Sequence, residues 1–183
     1  MTSFSTFGIK VLLLLISIIF NLAELFVLLR FLLQLVKADF RNPFCQFLMK
    51  ITSPLLHPLR RIIPGAYGID IAALVLFYLL IWAEGSLISL LNFQYWSAFS
   101  FISALLDGIH FYLNLTFFLI ILGAIIGWIP QAKFHPTGIL IHLLTDPYLK
   151  VIRRIVPTLG GFDFSPLIAL VIIQILNLGL ASL

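Results

Sequence analysis

The chain has 183 residues and a net charge of +4, and 62% of its residues are hydrophobic whereas only 10% are charged. A soluble domain has about 45–50% apolar and about 25% charged residues, and the mean hydropathy here is +1.16. The composition therefore excludes an ordinary soluble domain and predicts an integral membrane protein.

Four apolar stretches are long enough to cross a bilayer as helices, which takes about 20 mostly apolar residues. They comprise residues 11–36, 71–91, 110–129 and 164–183. Loops 37–69 and 130–162 connect the helices of each pair, and a turn at 92–100 connects the two pairs. This order predicts an all-α membrane protein with four transmembrane helices.

The first predicted span carries polar side chains, which are costly inside a membrane. Glu24 lies near the middle of the span and shares a helix face with Asn21. Two interpretations of Glu24 stay open: it takes part in function, or it is neutral or hydrogen-bonded and fixes helix packing. Arg30 lies two turns before Lys37, so we expect its side chain to snorkel to the cytoplasmic headgroups. Glu84, in the second span, has no acidic counterpart later in the chain and receives little weight.

Loop 37–69 contains two predicted amphipathic segments. The first covers residues 43–51, and the second begins at Pro54 with Ser53 as its N-cap. At about 100° per residue, the apolar face of the second segment comprises Leu55, Leu56, Leu59, Ile62 and Ile63, and the polar face comprises His57, Arg60 and Arg61. This pattern predicts short interfacial helices at the headgroup level. Asp70 is predicted to cap the second span.

The sequence repeats itself at a shift of 93 residues, without a gap. The shift pairs Asn21 with Asn114, Pro54 with Pro147, Arg60-Arg61 with Arg153-Arg154, Gly68 with Gly161, and Asp70 with Asp163. Coincident prolines, arginines and glycines indicate two copies of one unit rather than shared hydrophobicity. We predict a first copy at 1–92 and a second copy at 93–183. Because each copy has two spans, the copies are predicted to be parallel repeats.

Loop 130–162 repeats the features of the first loop. Asp146 and Pro147 are predicted to begin an amphipathic helix, and Asp163 is predicted to cap the fourth span. The polar face of this helix comprises Lys150, Arg153 and Arg154. The two double arginines are therefore predicted to meet anionic lipid or a protein partner.

Lysine and arginine are concentrated in the two loops, and only Lys10 lies on the other side. The positive-inside rule then places both loops in the cytoplasm and both termini outside it. Since the cations gather at one leaflet, the net charge points to the anionic lipids of that leaflet and not to nucleic acid.

Several motifs are typical of one known family: Asn42-Pro43-Phe44, Pro54, Pro58, Arg60-Arg61, Ile63-Pro64, Gly68-Ile69-Asp70, Pro147, Arg153-Arg154, Pro157, the "GGFDFSP" stretch at 160–166, and the spacing of Glu24, Arg30 and Gln34. On these motifs the chain resembles the YggT (YlmG) family of small bacterial and plastid membrane proteins, in its two-copy proteobacterial form, and the resemblance implies a bacterial inner membrane. Two departures are Val151 in place of a second Pro58 and "FHP" at 134–136. The resemblance implies roles in osmotic and envelope stress tolerance, in cell division or nucleoid placement, and in plastids in cytochrome maturation. It implies no catalytic mechanism.

These observations predict a non-enzymatic membrane factor that contacts anionic lipid and other membrane proteins through Arg60, Arg61, Arg153 and Arg154. The alternative is ion or osmolyte transport with Glu24 as the polar element of a path; four spans make a poor pore alone, so it requires a homo-oligomer. An enzyme is the weakest interpretation because no convergent acid, base or nucleophile set is evident. No metal site and no cofactor are predicted.

Overall fold

A computed structural model describes residues 2–65, 68–92, 100–129, 131–156 and 163–182. Within these ranges the chain forms six α-helices, one short 3₁₀ helix and no β-strand. The helices are α1 (Thr2–Leu35), α2 (Pro43–Ile62), α3 (Ile71–Leu91), α4 (Ser100–Trp128), α5 (Pro136–Arg153) and α6 (Ser165–Ala181), and the 3₁₀ helix covers Ala132–Phe134. The prediction of an all-helical protein is confirmed for the described residues.

Three helices are long and apolar enough to cross a membrane: α1 over Phe7–Leu35, α3 over Ile71–Leu91 and α4 over Phe101–Trp128. Helices α1 and α4 begin earlier than predicted, and α4 already includes Ser100 of the predicted turn, whose residues 93–99 lie outside the described ranges. Helix α6 has 17 residues. At about 1.5 Å per residue it is shorter than a hydrocarbon core of roughly 30 Å, so the fourth span stays a prediction.

The contacts divide the chain into two compact units. The first comprises Met1–Phe31 and Leu48–Gly108, which bring together parts of α1, α2 and α4 with all of α3. Its buried side chains include Val27, Leu28, Leu56, Ala72, Ala73, Leu76, Phe77 and Ile81. Trp82 stacks on Phe101 at 5.2 Å between ring centroids.

The second unit comprises Leu32–Phe47 and Ile109–Leu183. Its apolar core contains Ile120 of α4, Leu149 of α5, and Ala169 and Ile173 of α6. Helix α5 therefore packs against both apolar helices of its copy. The limits of the two units differ from those of the predicted repeats. The division of the chain into domains at 1–92 and 93–183 therefore stays a prediction.

The loop helices differ from the prediction of short segments. Helix α2 runs without a break through Pro54 and Pro58, and α5 runs through Pro147. Ser53 and Asp146 consequently lie inside helices and are not N-caps. An interior proline costs about 3 kcal/mol in an isolated helix, but tertiary packing overrides propensity: the buried stripe Cys45, Leu48, Thr52 and Leu56 continues on both sides of Pro54.

Candidate functional site

A cluster of polar side chains joins α1 to α3 inside the first unit. Glu24 is only 2% exposed, and its Oε1 has no hydrogen-bond partner among the described residues. The side chains of Glu24 and Glu84 lie close enough to interact electrostatically. Asn21 Nδ2 donates to Glu84 Oε1 at 3.3 Å and to the carbonyl oxygen of Ser17 at 2.7 Å.

Arg30 does not snorkel, contrary to the prediction. Its side chain is buried at 5% exposure, and Nη1 donates to Thr52 Oγ1 at 2.6 Å and to Ser53 Oγ at 3.2 Å. Both hydroxyl groups in turn donate to backbone carbonyl oxygens of α2, those of Leu48 and Met49. Arg30 thus ties α1 to α2, since a buried guanidinium is stabilised by neutral acceptors within reach.

The second copy makes related contacts at positions 93 residues further along. Asn177 Nδ2 donates to Asn114 Oδ1 at 3.1 Å, at the positions that correspond to Glu84 and Asn21. In place of Arg30 stands Gly123, and a Cβ atom there would lie 3.3 Å from Oγ1 of Thr145, the counterpart of Thr52. The helix crossing is therefore shared, but the second copy lacks both the two glutamates and the buried arginine.

An arginine–aspartate pair links each loop helix to the apolar helix that follows it. Arg60 Nη2 contacts Asp70 Oδ2, and Arg153 Nη2 lies 2.7 Å from Asp163 Oδ2. Arg153 also lies 3.6 Å from Asp146. Each double arginine therefore has its first member engaged within the protein.

The two aspartates differ in how they meet their helices. Asp70 is the N-cap of α3, and its side chain accepts from the backbone N–H of Ala73. The N-cap of α6 is Phe164, so Asp163 lies one residue earlier than predicted and accepts from the N–H of Ser165 at 2.9 Å. Partial burial raises the pKa of Asp163, but the hydrogen bonds from Ser165 and Arg153 outweigh it and leave the pKa below its ordinary value.

Arg61 and Arg154, the second members of the double arginines, are exposed, and neither forms an ion pair within the described ranges. Lys150, by contrast, pairs with Asp146 at 3.2 Å. The four arginines that the sequence groups together thus separate into two that pair with aspartates and two that form no ion pair within the described ranges.

Sequence reasoning missed several residues of these contacts. Thr52 and Ser53 were not considered as partners of Arg30, and Glu84 received little weight although it completes the pair with Glu24. The repeat contained the signal, because a shift of 93 places Asn177 opposite Glu84. Gln34 is half-buried. Within the described ranges, no group of three His, Cys, Asp or Glu side chains is arranged to hold a metal ion.

The chain matches the CCB3/YggT family over residues 9–91 and again over 102–183. It is 36% identical over 168 residues to the uncharacterized protein YggT of Escherichia coli K12, covering 92% of this chain and 88% of that protein. An uncharacterized protein of Pseudomonas aeruginosa is 37% identical over 170 residues, covering 86% of this chain and 82% of that protein.

A chloroplastic relative matches a shorter segment. The YlmG homolog protein 2 of Arabidopsis thaliana is 32% identical over 70 residues, which cover 37% of this chain and 27% of the plant protein. No solved structure matches the chain. The family match extends over both copies, and the bacterial relatives cover most of the chain. The protein therefore belongs to the CCB3/YggT family.

Proposed function

We propose that this protein is a non-enzymatic, multi-pass factor of the bacterial inner membrane, which contacts anionic lipid and membrane-protein partners in envelope or osmotic-stress physiology or in membrane assembly. The observation that carries the proposal is that the two members of each double arginine differ in their contacts. Arg60 and Arg153 are engaged by aspartates, whereas Arg61 and Arg154 are exposed and unpaired within the described ranges.

The position of the two exposed arginines favours lipid contact. Arg61 lies in the last turn of α2 and Arg154 caps the end of α5. Both helices bury one stripe and expose large apolar side chains on other sides, among them Leu55, Ile62, Leu143 and Val151. A helix with exposed apolar and basic side chains suits the boundary between headgroups and acyl chains. Each basic residue near an anionic surface contributes about 1 kcal/mol of attraction.

The test is the lipid preference of the purified protein. Arg61→Gln with Arg154→Gln should reduce the enrichment of phosphatidylglycerol over phosphatidylcholine when the protein is extracted from mixed vesicles with mild detergent. Two lost cations correspond to about 2 kcal/mol, or roughly 30-fold in affinity. Arg61→Lys with Arg154→Lys keeps the charges and is the matched control. An unchanged preference in the glutamine variant would contradict lipid contact through these arginines.

A second candidate function, transport of a proton or cation by an oligomer, is favoured by the Glu24–Glu84 pair. Glu24 is buried in a predicted span with one oxygen unpartnered among the described residues. Asn21 connects this part of α1 to Glu84 of α3, so that two carboxyl groups belong to one polar cluster. A packing role for Glu24 requires only its shape and hydrogen bonds, whereas a transport role requires a group that ionises.

Two substitutions distinguish these roles. Glu24→Gln keeps the shape and removes the charge, so a packing role should survive it, whereas Glu24→Leu should fail because buried polar partners lose a hydrogen bond at about 1–3 kcal/mol. The measurement is growth of a deletion strain under hyperosmotic stress, complemented by each variant, with protein levels in the membrane checked by immunoblot. Loss of complementation by the glutamine variant at normal protein level would favour transport.

A further inference from the structure

A cavity of about 660 Å³ lies within the second unit, between α4, α5 and the beginning of α6. Its walls are mostly apolar and include Ile121, Ile125, Leu149, Leu167 and Leu170. Pockets that hold small organic ligands have volumes of roughly 300–1,000 Å³. The volume of the cavity lies within this range, and its mostly apolar walls favour an apolar ligand.

Two glycines of α4, Gly123 and Gly127, line the cavity. At the corresponding positions, 93 residues earlier, the first copy has Arg30 and Gln34. The Arg30 side chain is buried against Thr52 and Ser53. The second copy thus keeps the helix crossing but lacks the two long side chains that the first copy carries there. A Cβ atom at Gly127 would meet nothing within 4 Å, so this position opens into free space.

Three polar side chains complete the lining: His142, Arg153 and Asp163. The Nε2 atom of His142 is buried and has no hydrogen-bond partner among the described residues. Arg153 is 40% exposed even though it pairs with Asp163, and exposed Arg154 follows it in the chain. The cavity therefore combines an apolar interior with a polar end, where Arg153 pairs with Asp163 and exposed Arg154 follows in the chain.

We propose that this cavity holds one acyl chain of an anionic phospholipid, with the phosphate group against the basic end of α5. The proposal rests on the proposed function, because it assigns a specific site to the lipid contact. An acyl chain matches the apolar walls, and exposed Arg154 at the end of α5, which has no ion pair within the described ranges, complements the charge of a phosphate diester. The exposed rim residues Ile125, Trp128 and Leu167 would let a lipid enter from the side of the spans.

The experiment fills the cavity from Gly127. Gly127→Leu projects a side chain into it without an immediate clash, and Gly127→Gln introduces the residue that the first copy carries at this position. Gly85→Leu in α3 is the matched control, because a Cβ atom there also meets nothing within 4 Å. The full-length protein is incubated with vesicles of phosphatidylglycerol and phosphatidylcholine, extracted in mild detergent, and examined by native mass spectrometry for retained lipid.

We expect the wild type and Gly85→Leu to retain one phosphatidylglycerol per chain, and both Gly127 variants to lose at least five-fold in occupancy. Equal occupancy in the Gly127 variants would overturn the proposal. So would a wild type that carries no lipid but forms a dimer that the Gly127 variants lose, because the cavity would then be an interface between two chains.

The surface contact has a separate readout, since Arg61 does not line the cavity. If Arg61→Gln lowers the overall preference for phosphatidylglycerol while the Gly127 variants retain the single lipid, the cavity proposal fails and the proposed function stands. If Arg61→Gln leaves the preference unchanged while the Gly127 variants lose the single lipid, surface contact through Arg61 fails and the cavity site stands.

Discussion

Thr52 and Thr145 occupy corresponding positions of the two copies and make the same hydrogen bond, from the hydroxyl to the carbonyl oxygen four residues earlier. They differ in what faces them. Thr52 also accepts a hydrogen bond from buried Arg30, whereas Thr145 lies against Gly123. The same residue type therefore supports a buried charge in one copy and a close backbone approach in the other.

This difference predicts unequal effects of one substitution at the two positions. Thr52→Val removes an acceptor from a buried guanidinium, which should cost about 1–3 kcal/mol more than Thr145→Val. For a protein of this size each 1 kcal/mol corresponds to roughly 2–4 °C in the unfolding midpoint. Thermal unfolding in mild detergent should therefore give a midpoint several degrees lower for Thr52→Val. Equal midpoints would show that Ser53 alone satisfies Arg30.

Individual residues also show what the sequence can and cannot predict. The shift of 93 residues matches arginine with arginine and aspartate with aspartate, but it did not predict the contacts of Arg60 with Asp70 and of Arg153 with Asp163. The burial of Arg30 was not predictable, since snorkelling and hydrogen bonding to a neighbouring helix are both compatible with its depth. Only the position of α2 against α1 decides between them.

At the scale of elements, the proline-containing loop helices explain the main error of the sequence analysis. Proline and a preceding Ser or Asp are typical of a helix start, and this pattern favoured two short helices in each loop. In the structure Thr52 and Ser53 donate to carbonyl oxygens of the preceding turn, and Thr145 does the same before Pro147. Buried side chains on both sides of the proline, such as Leu48 and Leu56 in α2 and Leu144 and Leu149 in α5, then keep each helix continuous. Local sequence rules do not take this tertiary packing into account.

The link between the end of α5 and the start of α6 should depend on pH. Because the pKa of Asp163 in the folded protein lies below its ordinary value of 3.8, its stabilising contribution is present above that value and is lost as the pH falls through the lowered pKa. The difference in unfolding midpoint between wild type and Asp163→Asn should therefore be constant near neutral pH and shrink below about pH 4.

The control for this pH dependence is the partner residue. In an Arg153→Gln background the carboxylate loses one of the groups that lower its pKa, so the difference between Asp163 and its Asn variant should be smaller at neutral pH. Thermal unfolding followed by tryptophan fluorescence between pH 3 and pH 7 measures all four proteins. A difference that grows on acidification would contradict the ion pair as a stabilising link.

At the scale of the whole molecule, the prediction of two parallel repeats rests on a periodicity that hydrophobicity alone does not explain. The structure gives matching contacts at a shift of 93 residues: Asn21–Glu84 with Asn114–Asn177, and Arg60–Asp70 with Arg153–Asp163. The predicted orientation in the membrane has a different basis from the repeats, because it depends on lysine and arginine counts and not on contacts. It stays a prediction and needs a measurement.

The predicted orientation places His57, in loop helix α2, in the cytoplasm. It places Asn92, which directly follows α3, outside the cytoplasm. Both positions are exposed, and single cysteines there should react differently with an impermeant thiol reagent. Native Cys45 is replaced by serine, although burial, and then Asp39, raise the pKa of its thiol and make it poorly reactive. In intact spheroplasts we expect labelling at Asn92→Cys only; labelling at His57→Cys alone would reverse the orientation.

A cysteine at Ser182 tests whether α6 completes a fourth span. Helix α6 has only 17 residues, but its side chains Leu167, Val171, Ile175 and Leu178 are apolar and exposed, and a short helix is accommodated by local thinning of the bilayer at a modest cost. We therefore expect Ser182→Cys to be labelled in intact spheroplasts, as at Asn92. If Ser182→Cys reacts only after permeabilisation while Asn92→Cys reacts before it, α6 does not cross, the protein has three spans, and the two copies differ in topology as well as in side chains.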